Sequence, residues 1–220
     1  MNPTIKAVFF DFDGTLGNRE KYAYECVREI LKEVVDVKDP IEFEAIVQDW
    51  MLWDEQGNIK KKHIWEMLEN KYGIVLPKEA PDRYWDARLW KYTVLFDDAM
   101  DTLNYLKEKY ILGIITNGPS DGQRNKVKQS GVDQIIPMEN VIVSGDYPFA
   151  KPDPRIFLEA CHKLGVKPEE SVYVGDIYAN DVLGSYRAKM NPIWIWTLGN
   201  RAQNTDIPMI HSLSELKNFL

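Results

Sequence analysis

Two carboxylates one residue apart, Asp11 and Asp13, follow a short apolar run and are followed directly by Gly14. The run, residues 5–10, is typical of a buried parallel strand, and polar side chains at the carboxyl end of such a strand are candidates for chemistry. One carboxylate can attack an electrophile while the other transfers protons. Asp-x-Asp-Gly also occurs in calcium loops, but the next residues lack the further oxygen ligands that such a loop needs. The pair therefore predicts a catalytic site.

A second acidic pair follows another apolar run, residues 172–174. Asp176 stands at the predicted end of that strand, and Asp181 comes five residues later, where a helix is predicted to begin. Mg²⁺ favours one or two carboxylates, with waters and substrate phosphate completing its shell, so this pair suits a hard cation. Asp181 taken alone could equally be a carboxylate that stabilises a helix N-terminus.

A third apolar run, residues 111–115, ends in Thr116, Asn117 and Gly118. The threonine hydroxyl and the backbone N–H groups of this turn could hold a phosphoryl oxygen, as a small anion nest does. Lys151, in a Lys-Pro-Asp-Pro segment, offers a point charge for the same group. A lone lysine is usually a surface residue. Lys151 is a candidate because the other segments supply the remaining groups of a phosphate site.

These candidates require a sheet that brings strand ends together. Three apolar runs, each followed by a helical pattern, predict a parallel α/β sheet, and residues 192–196 and 208–211 predict its last short strands. We expect about five parallel strands plus edges. Helix-start signals in the second half of the chain agree with this α/β pattern. Asp153 before a proline predicts a helix N-cap, and Ser212 with Glu215 predicts a capping box.

Between the first two strands the composition changes to amphipathic helical repeats. Residues 17–95 therefore predict an inserted helical domain of about four helices, with residues 1–16 and 96–220 forming the α/β core. Most of the tryptophans fall in this insert. We interpret them as core fillers, and the alternative is that one or two stack on a planar group of a ligand. The basic run at residues 60–63 predicts a solvated helix start. The tryptophans of the insert are Trp50, Trp53, Trp65, Trp85 and Trp90.

The overall charge limits the possible partners. The 220 residues have a formal net charge of −7 and a pI near 5.1, which disfavours a nucleic-acid polymer or an anionic membrane surface as partner. Cys26 and Cys161 are far apart and have no metal-ligand spacing, which indicates ordinary buried thiols in a reducing compartment. With neither a signal peptide nor an apolar span in the sequence, we expect a cytoplasmic protein, as a monomer or homodimer.

The four segments together resemble the motifs of the haloacid dehalogenase-like hydrolases, in their phosphatase branch. The motifs are DFDGTL at residues 11–16, ITNG at 115–118, Lys151 within KPDPRIF, and GDIYAND at 175–181, in the family's order and across nearly the whole chain. The resemblance implies a Rossmann-like parallel sheet core with an inserted α-helical cap domain that moves over the active end of the sheet. Among subfamilies, the chain is similar to pyrimidine 5′-nucleotidases and N-acylneuraminate phosphatases.

The resemblance also implies how the acidic residues divide the work. Asp11 would be the nucleophile that forms an aspartyl-phosphate, and Asp13 the acid that protonates the leaving alcohol and then the base that activates water. Mg²⁺ would be held by the Asp11 carboxylate, the Asp13 backbone carbonyl and Asp176. Asp181 would act through waters or by orienting Lys151.

For the phosphate itself, the resemblance implies three contacts. Thr116 and the backbone at Asn117 would bind the transferring phosphoryl oxygens, and Lys151 would balance their charge in the transition state. The function expected is a magnesium-dependent phosphomonoester hydrolase for a small phosphorylated metabolite, either a nucleoside monophosphate or a sugar phosphate.

Three alternatives stay open at this point. A dehalogenase of the same superfamily needs neither a metal nor a second catalytic acid, so Asp13 and Asp176 argue against it. A phosphosugar mutase or phosphotransferase would keep the same site. A non-catalytic phospholigand-binding protein would be favoured by a missing nucleophile or metal ligand, and none is missing.

Overall fold

The apolar runs form one parallel sheet in the computed structural model, which describes residues 4–76 and 81–220. The spatial order of its strands is β3-β2-β1-β4-β5-β6, and every neighbouring pair is parallel. This confirms the predicted α/β class with a Rossmann-like sheet. The strands are β1 (Ala7–Phe10), β2 (Ile111–Thr116), β3 (Val141–Val143), β4 (Ser171–Gly175), β5 (Asn191–Ile195) and β6 (Met209–Ile210).

The strand order changes direction at β1, which has β2 on one side and β4 on the other. Phe10, the last residue of β1, lies opposite Ile114 of β2 and Val174 of β4. The chain therefore leaves three neighbouring strands at nearly the same level. In open α/β sheets this reversal point is where ligands bind, at the carboxyl ends of the strands.

Helices flank and interrupt the sheet in sequence. The helices of the insert are α1 (Arg19–Val34), α2 (Pro40–Asp54), α3 (Lys61–Tyr72) and α4 (Pro81–Leu89). Those that follow are α5 (Ala99–Lys107), α6 (Ser120–Gln129), α7 (Pro154–Lys163) and α8 (Leu183–Arg187), the last entered through a π-helical turn, Tyr178–Val182. Short 3₁₀ helices occur at Glu55–Gly57, Trp90–Tyr92, Val132–Gln134, Met138–Asn140, Ser144–Asp146, Pro168–Glu170 and Leu213–Asn218. None of the helices within residues 4–76 and 81–220 is long and apolar enough to cross a membrane.

Two predicted helix starts are present, and one strand was missed. Asp153 accepts a hydrogen bond from the Arg155 N–H at 2.9 Å and so caps α7. Ser212 and Glu215 form the predicted capping box, but it opens a 3₁₀ helix. The sequence did not predict β3 because its three residues are too few for a periodic signal.

The chain separates into two compact units, Met1–Asn18 with Leu95–Leu220, and Arg19–Val94. In the α/β unit, successive residues of β1 point to opposite faces of the sheet. Val8 and Phe10 pack into one apolar cluster, and Ala7 and Phe9 pack into another. Residues 1–3 and 77–80 of the predicted domain ranges lie outside the described residues.

The helical unit, Arg19–Val94, has an apolar core of its own between α1, α2, α3 and α4. Three of its tryptophans, Trp50, Trp65 and Trp85, are buried in that core, and Trp50 stacks on Trp85 with ring centroids 5.8 Å apart. Trp53 and Trp90 are half-buried. The interpretation as core fillers is therefore correct for the three buried tryptophans, and Trp53 also packs against the same core.

The predicted solvated helix start is wrong for one residue, Lys61. Its neighbour Lys62 is exposed, but Lys61 is buried, and its ammonium pairs with the buried carboxylate of Asp54. Lys61 lies on the same face of α3 as Ile64 and Leu68, which belong to the core. Helical periodicity places it inward, and a carboxylate from another helix makes its burial tolerable.

Candidate active site

Asp11 and Asp176 are brought together by the adjacent strands β1 and β4, which they follow. The turn after β1 packs closely on Asp176: Gly14 has φ +85°, and a Cβ at Gly14 would lie 2.2 Å from Asp176 Oδ2. Only glycine therefore fits this position, for both its backbone conformation and the space. The acidic pairs that the sequence singled out thus share one end of the sheet.

Lys151 links three polar groups of this site. Its ammonium donates to Asp11 Oδ1 at 2.6 Å, to Asp181 Oδ1 at 2.6 Å and to the Tyr173 hydroxyl at 3.0 Å. The side chain is buried, unlike that of a typical surface lysine. Burial lowers the pKa of Lys151, but the carboxylates of Asp11 and Asp181 outweigh it and raise the pKa above its usual value. The ammonium is therefore charged at neutral pH.

The buried carboxylates outnumber this one cation. Burial raises the pKa of Asp11 to about 7, although the charge of Lys151 opposes the shift. Burial and the charges of Asp11 and Asp181 raise the pKa of Asp176 well above its usual value. Both shifts have the same physical cause, namely negative charge in a poorly solvated place with too little positive charge nearby.

The donor set fits a hard cation. Asp11, Asp176 and Asp181 each offer a carboxylate oxygen, and these oxygens lie within 4.8 Å of one another. Asp176 Oδ1 is buried and has no hydrogen-bond partner among the described residues. An unpaired buried carboxylate oxygen is costly unless something positive meets it. The triad could therefore hold a metal ion of the oxygen-preferring kind.

Asp181 has most of its hydrogen-bonding capacity already occupied. Its Oδ1 accepts from Lys151 and lies 2.9 Å from the Tyr173 hydroxyl, and its Oδ2 accepts from the Ile177 N–H at 2.8 Å. Gly175 makes room for this side chain, since a Cβ there would lie 2.4 Å from the Asp181 Cγ. These contacts favour Asp181 as the residue that orients Lys151.

The predicted phosphate turn is only partly open to a ligand. The Thr116 hydroxyl oxygen is buried and lacks a hydrogen-bond partner within the described part of the chain. The Asn117 side chain exchanges two hydrogen bonds with the Lys151 backbone, at 3.0 and 2.9 Å, and so fixes the segment that bears the lysine. The Gly118 N–H donates to Ser144 Oγ at 3.0 Å, so this N–H is not freely available as the sequence suggested.

The carboxylate of Asp13 accepts hydrogen bonds from two side chains of α6. Lys126 of α6 donates to both of its oxygens, at 2.8 and 2.7 Å, and Gln123 donates to Oδ2 at 2.8 Å. Both helix residues are buried. Sequence reasoning missed them, and it also missed Tyr173. The signals available were the spacing of Gln123 and Lys126, three residues apart on one helix face, and a tyrosine within an otherwise apolar strand.

Comparisons with known proteins identify the family of this chain. The model of the haloacid dehalogenase-like hydrolase family matches residues 5–188. A glyceraldehyde 3-phosphate phosphatase of Methanopyrus kandleri is 33% identical over 194 residues, 84% of this chain and 82% of the relative. The N-acylneuraminate-9-phosphatase of Mus musculus is 28% identical over 232 residues, 94% of this chain and 88% of the relative.

A solved structure gives the same fold. A haloacid dehalogenase-type hydrolase of Bacillus subtilis, solved with magnesium, superposes with a TM-score of 0.77 at 21% identity, over 98% of each chain. The chain therefore belongs to the haloacid dehalogenase-like hydrolase family, which confirms the resemblance of its motifs. It is an enzyme of the hydrolase class, and the two relatives described above are named as phosphatases.

Proposed function

We propose that this enzyme is a magnesium-dependent phosphomonoester hydrolase that works through a phosphorylated aspartate, Asp11. The observation that supports it best is the buried contact of Asp11 with Lys151, beside the unpaired oxygen of Asp176. A nucleophile, a cation for phosphate and a carboxylate for a metal thus lie together at one end of the sheet. A dehalogenase would not need Asp176 or Asp13.

The reaction divides into two displacements at phosphorus. In the first, an Asp11 carboxylate oxygen forms a bond to phosphorus while the ester O–P bond breaks, and Asp13 gives its proton to the departing alcohol oxygen. In the second, Asp13 takes a proton from a water molecule as the oxygen of that water bonds to phosphorus and the bond between phosphorus and the Asp11 oxygen breaks. Inorganic phosphate leaves, and the Asp11 carboxylate is restored.

The other residues of the site manage charge. Lys151 holds Asp11 in orientation and neutralises phosphoryl oxygens, and the free hydroxyl of Thr116 and the backbone N–H of Asn117 bind those oxygens. Mg²⁺, held by the Asp11 carboxylate, the Asp13 backbone carbonyl and Asp176, would supply positive charge that offsets the repulsion between carboxylate and phosphate.

The substrate class proposed is a small sugar phosphate or sugar-acid phosphate. Both similar phosphatases are named for substrates of this kind. A nucleoside monophosphate is the second candidate, because the helical unit is rich in aromatic residues, but three of its tryptophans are already buried in its core. We propose that the helical unit acts as the cap that selects among these esters, in a cytoplasmic monomer or homodimer without nucleic-acid or membrane partners.

The test is release of inorganic phosphate from a panel of sugar phosphates, acyl-sugar phosphates and nucleoside monophosphates, each with Mg²⁺ and with chelator. We expect metal-dependent release that is concentrated on one group of esters. Phosphate transfer to a second sugar without net release would instead indicate a phosphosugar mutase. Binding of esters without turnover would indicate a phospholigand-binding protein.

Asp11→Asn serves as the blank of this panel. Its amide keeps the shape of the carboxylate but cannot act as the nucleophile, so we expect turnover to fall by at least about 10⁴-fold. The protein should remain folded, because the replaced carboxyl group already resists ionisation, with a pKa raised by burial to about 7. Phosphate release within tenfold of the unmodified enzyme would eliminate the aspartyl-phosphate mechanism.

A further inference from the structure

We infer that Lys126 and Gln123 are positioning residues that orient Asp13 toward the leaving oxygen of the substrate. The inference rests on the proposed function, in which Asp13 is the acid. Both Asp13 carboxylate oxygens accept hydrogen bonds from Lys126, and Oδ2 also accepts one from Gln123. Three contacts from one helix fix the rotation of the carboxyl group as well as its location.

The same helix ties the acid to the phosphate turn. Gln123 Nε2 donates to Asp13 Oδ2 and also lies 3.0 Å from the carbonyl oxygen of Asn117. Gly118 allows this close packing, since a Cβ there would lie 2.7 Å from Gln123 Nε2. The side chain of Gln123 therefore links the proton donor to the turn that would hold the phosphoryl group. In phosphoester cleavage, these two groups must be placed to within about half an ångström.

Stability alone gives a weak reason for this arrangement. The Lys126 side chain is 6% exposed and its partner Asp13 is 19% exposed, so both charged groups lose much of their hydration. Buried ion pairs are often no more stabilising than apolar residues of the same volume. The neighbouring lysine of α6, Lys128, is exposed. A residue that orients a reacting group explains why one lysine of the helix is buried against an aspartate.

The test compares two esters of similar size and different leaving groups, benzyl phosphate and 4-nitrophenyl phosphate. A nitrophenolate leaves without a proton, whereas a benzyl alkoxide needs one. Cleavage of benzyl phosphate therefore depends strongly on a well-placed acid, and cleavage of 4-nitrophenyl phosphate does not. kcat/KM reports the first displacement alone. We expect Lys126→Met to lower kcat/KM for benzyl phosphate at least about tenfold more than for 4-nitrophenyl phosphate, as partial loss of acid catalysis predicts.

Two controls separate orientation from folding. Lys128→Met, on the exposed side of the same helix, should leave both values within about twofold, since surface substitutions have small effects. In an Asp13→Asn background, Lys126→Met should cause no further loss, because residues that act through one another are not additive. If Lys126→Met does not fold by circular dichroism, Gln123→Met is judged by the same criterion.

Equal losses on the two esters, or a further loss on top of Asp13→Asn, would overturn the inference and leave Lys126 as a structural residue. Failure of the proposed function looks different. In that case the unmodified enzyme releases no more phosphate than Asp11→Asn does, either from these two esters or from any ester of the metabolite panel, and both proposals fall together.

Discussion

Each of the two units buries a cluster of charged side chains, but the charges are balanced differently. In the helical unit one carboxylate, Asp54, meets two cations, with Arg19 Nη1 at 2.6 Å and the Lys61 ammonium in direct contact. In the α/β unit one ammonium, that of Lys151, pairs with two carboxylates, those of Asp11 and Asp181, and a third carboxylate, Asp176, belongs to the same cluster.

The pKa values follow this difference. Burial raises the pKa of Asp54, but the charges of Arg19 and Lys61 outweigh it and hold the pKa below its usual value. In the α/β unit the pKa of Asp11 rises to about 7 and that of Asp176 rises well above normal, because burial is not compensated. A buried carboxylate that is paired with cations is structural, whereas a cluster in which the carboxylates outnumber the cation can take a further cation as ligand.

The largest effect on stability is expected from Asp54→Asn in the helical unit, where this carboxylate is paired with two cations. The change leaves Arg19 and Lys61 buried without their carboxylate, and breaking a buried ion pair in this way costs about 3–5 kcal/mol. Urea unfolding followed by tryptophan fluorescence measures the loss, since most tryptophans lie in this unit.

The matched control is Glu66→Gln, which removes an exposed carboxylate 3.9 Å from Lys62 on α3. An exposed pair of this kind is worth about 0.5 kcal/mol or less. If Asp54→Asn costs no more than Glu66→Gln, the helical cluster is not a structural ion pair, and the contrast with the α/β unit is lost.

The residues at the strand ends could be predicted from the sequence, for a physical reason. Strand ends can be predicted because apolar runs mark the strands, so Asp11, Thr116 and Asp176 could be located from the sequence. The fold class followed from the same runs. Whether those residues act as predicted stays a prediction.

The partners of a buried charge could not be predicted in the same way. Lys126 lies 113 positions from Asp13 in the sequence, and a polar pair on one helix face is typical of a solvated surface. Lys61 was misjudged for the same reason. Its burial depends on Asp54 from another helix, and no local pattern records that pairing.

A smaller effect, of opposite sign, is expected from Asp176→Asn in the unbalanced cluster. A carboxyl group whose folded-state pKa is raised stabilises the protein only at low pH, and that contribution is lost as the pH rises. Near pH 7 the neutral amide should therefore be the better tolerated group. We expect the free energy of unfolding in chelator to rise by about 1 kcal/mol, as removal of a functional residue often does.

Magnesium should reverse that ranking. A ligand that binds only the folded state raises the melting temperature. We expect Mg²⁺ to raise the melting temperature of the unmodified protein and to have little effect on Asp176→Asn. Asp153→Asn is the control, because Asp153 caps α7 and is not one of the three carboxylates of the triad. Asparagine also caps helices, so this change should have little effect on the response to Mg²⁺. If Asp176→Asn is less stable than the unmodified protein in chelator, the inference that the triad carries surplus negative charge is wrong.

The smallest effect is expected at Cys161, which tests whether a raised pKa alone marks a site. Burial raises the pKa of this thiol to about 11, yet its surroundings are the apolar cluster of the α/β unit and the Ser171 hydroxyl at 3.8 Å. Cys161→Ala should keep kcat/KM within about twofold, because most substitutions away from a site affect stability rather than chemistry. Cys26→Ala, at the buried thiol of the helical unit, should behave alike. A tenfold loss at Cys161 alone would mean that burial of a titratable group is itself a sign of function here, and that the balance of charges is the wrong criterion.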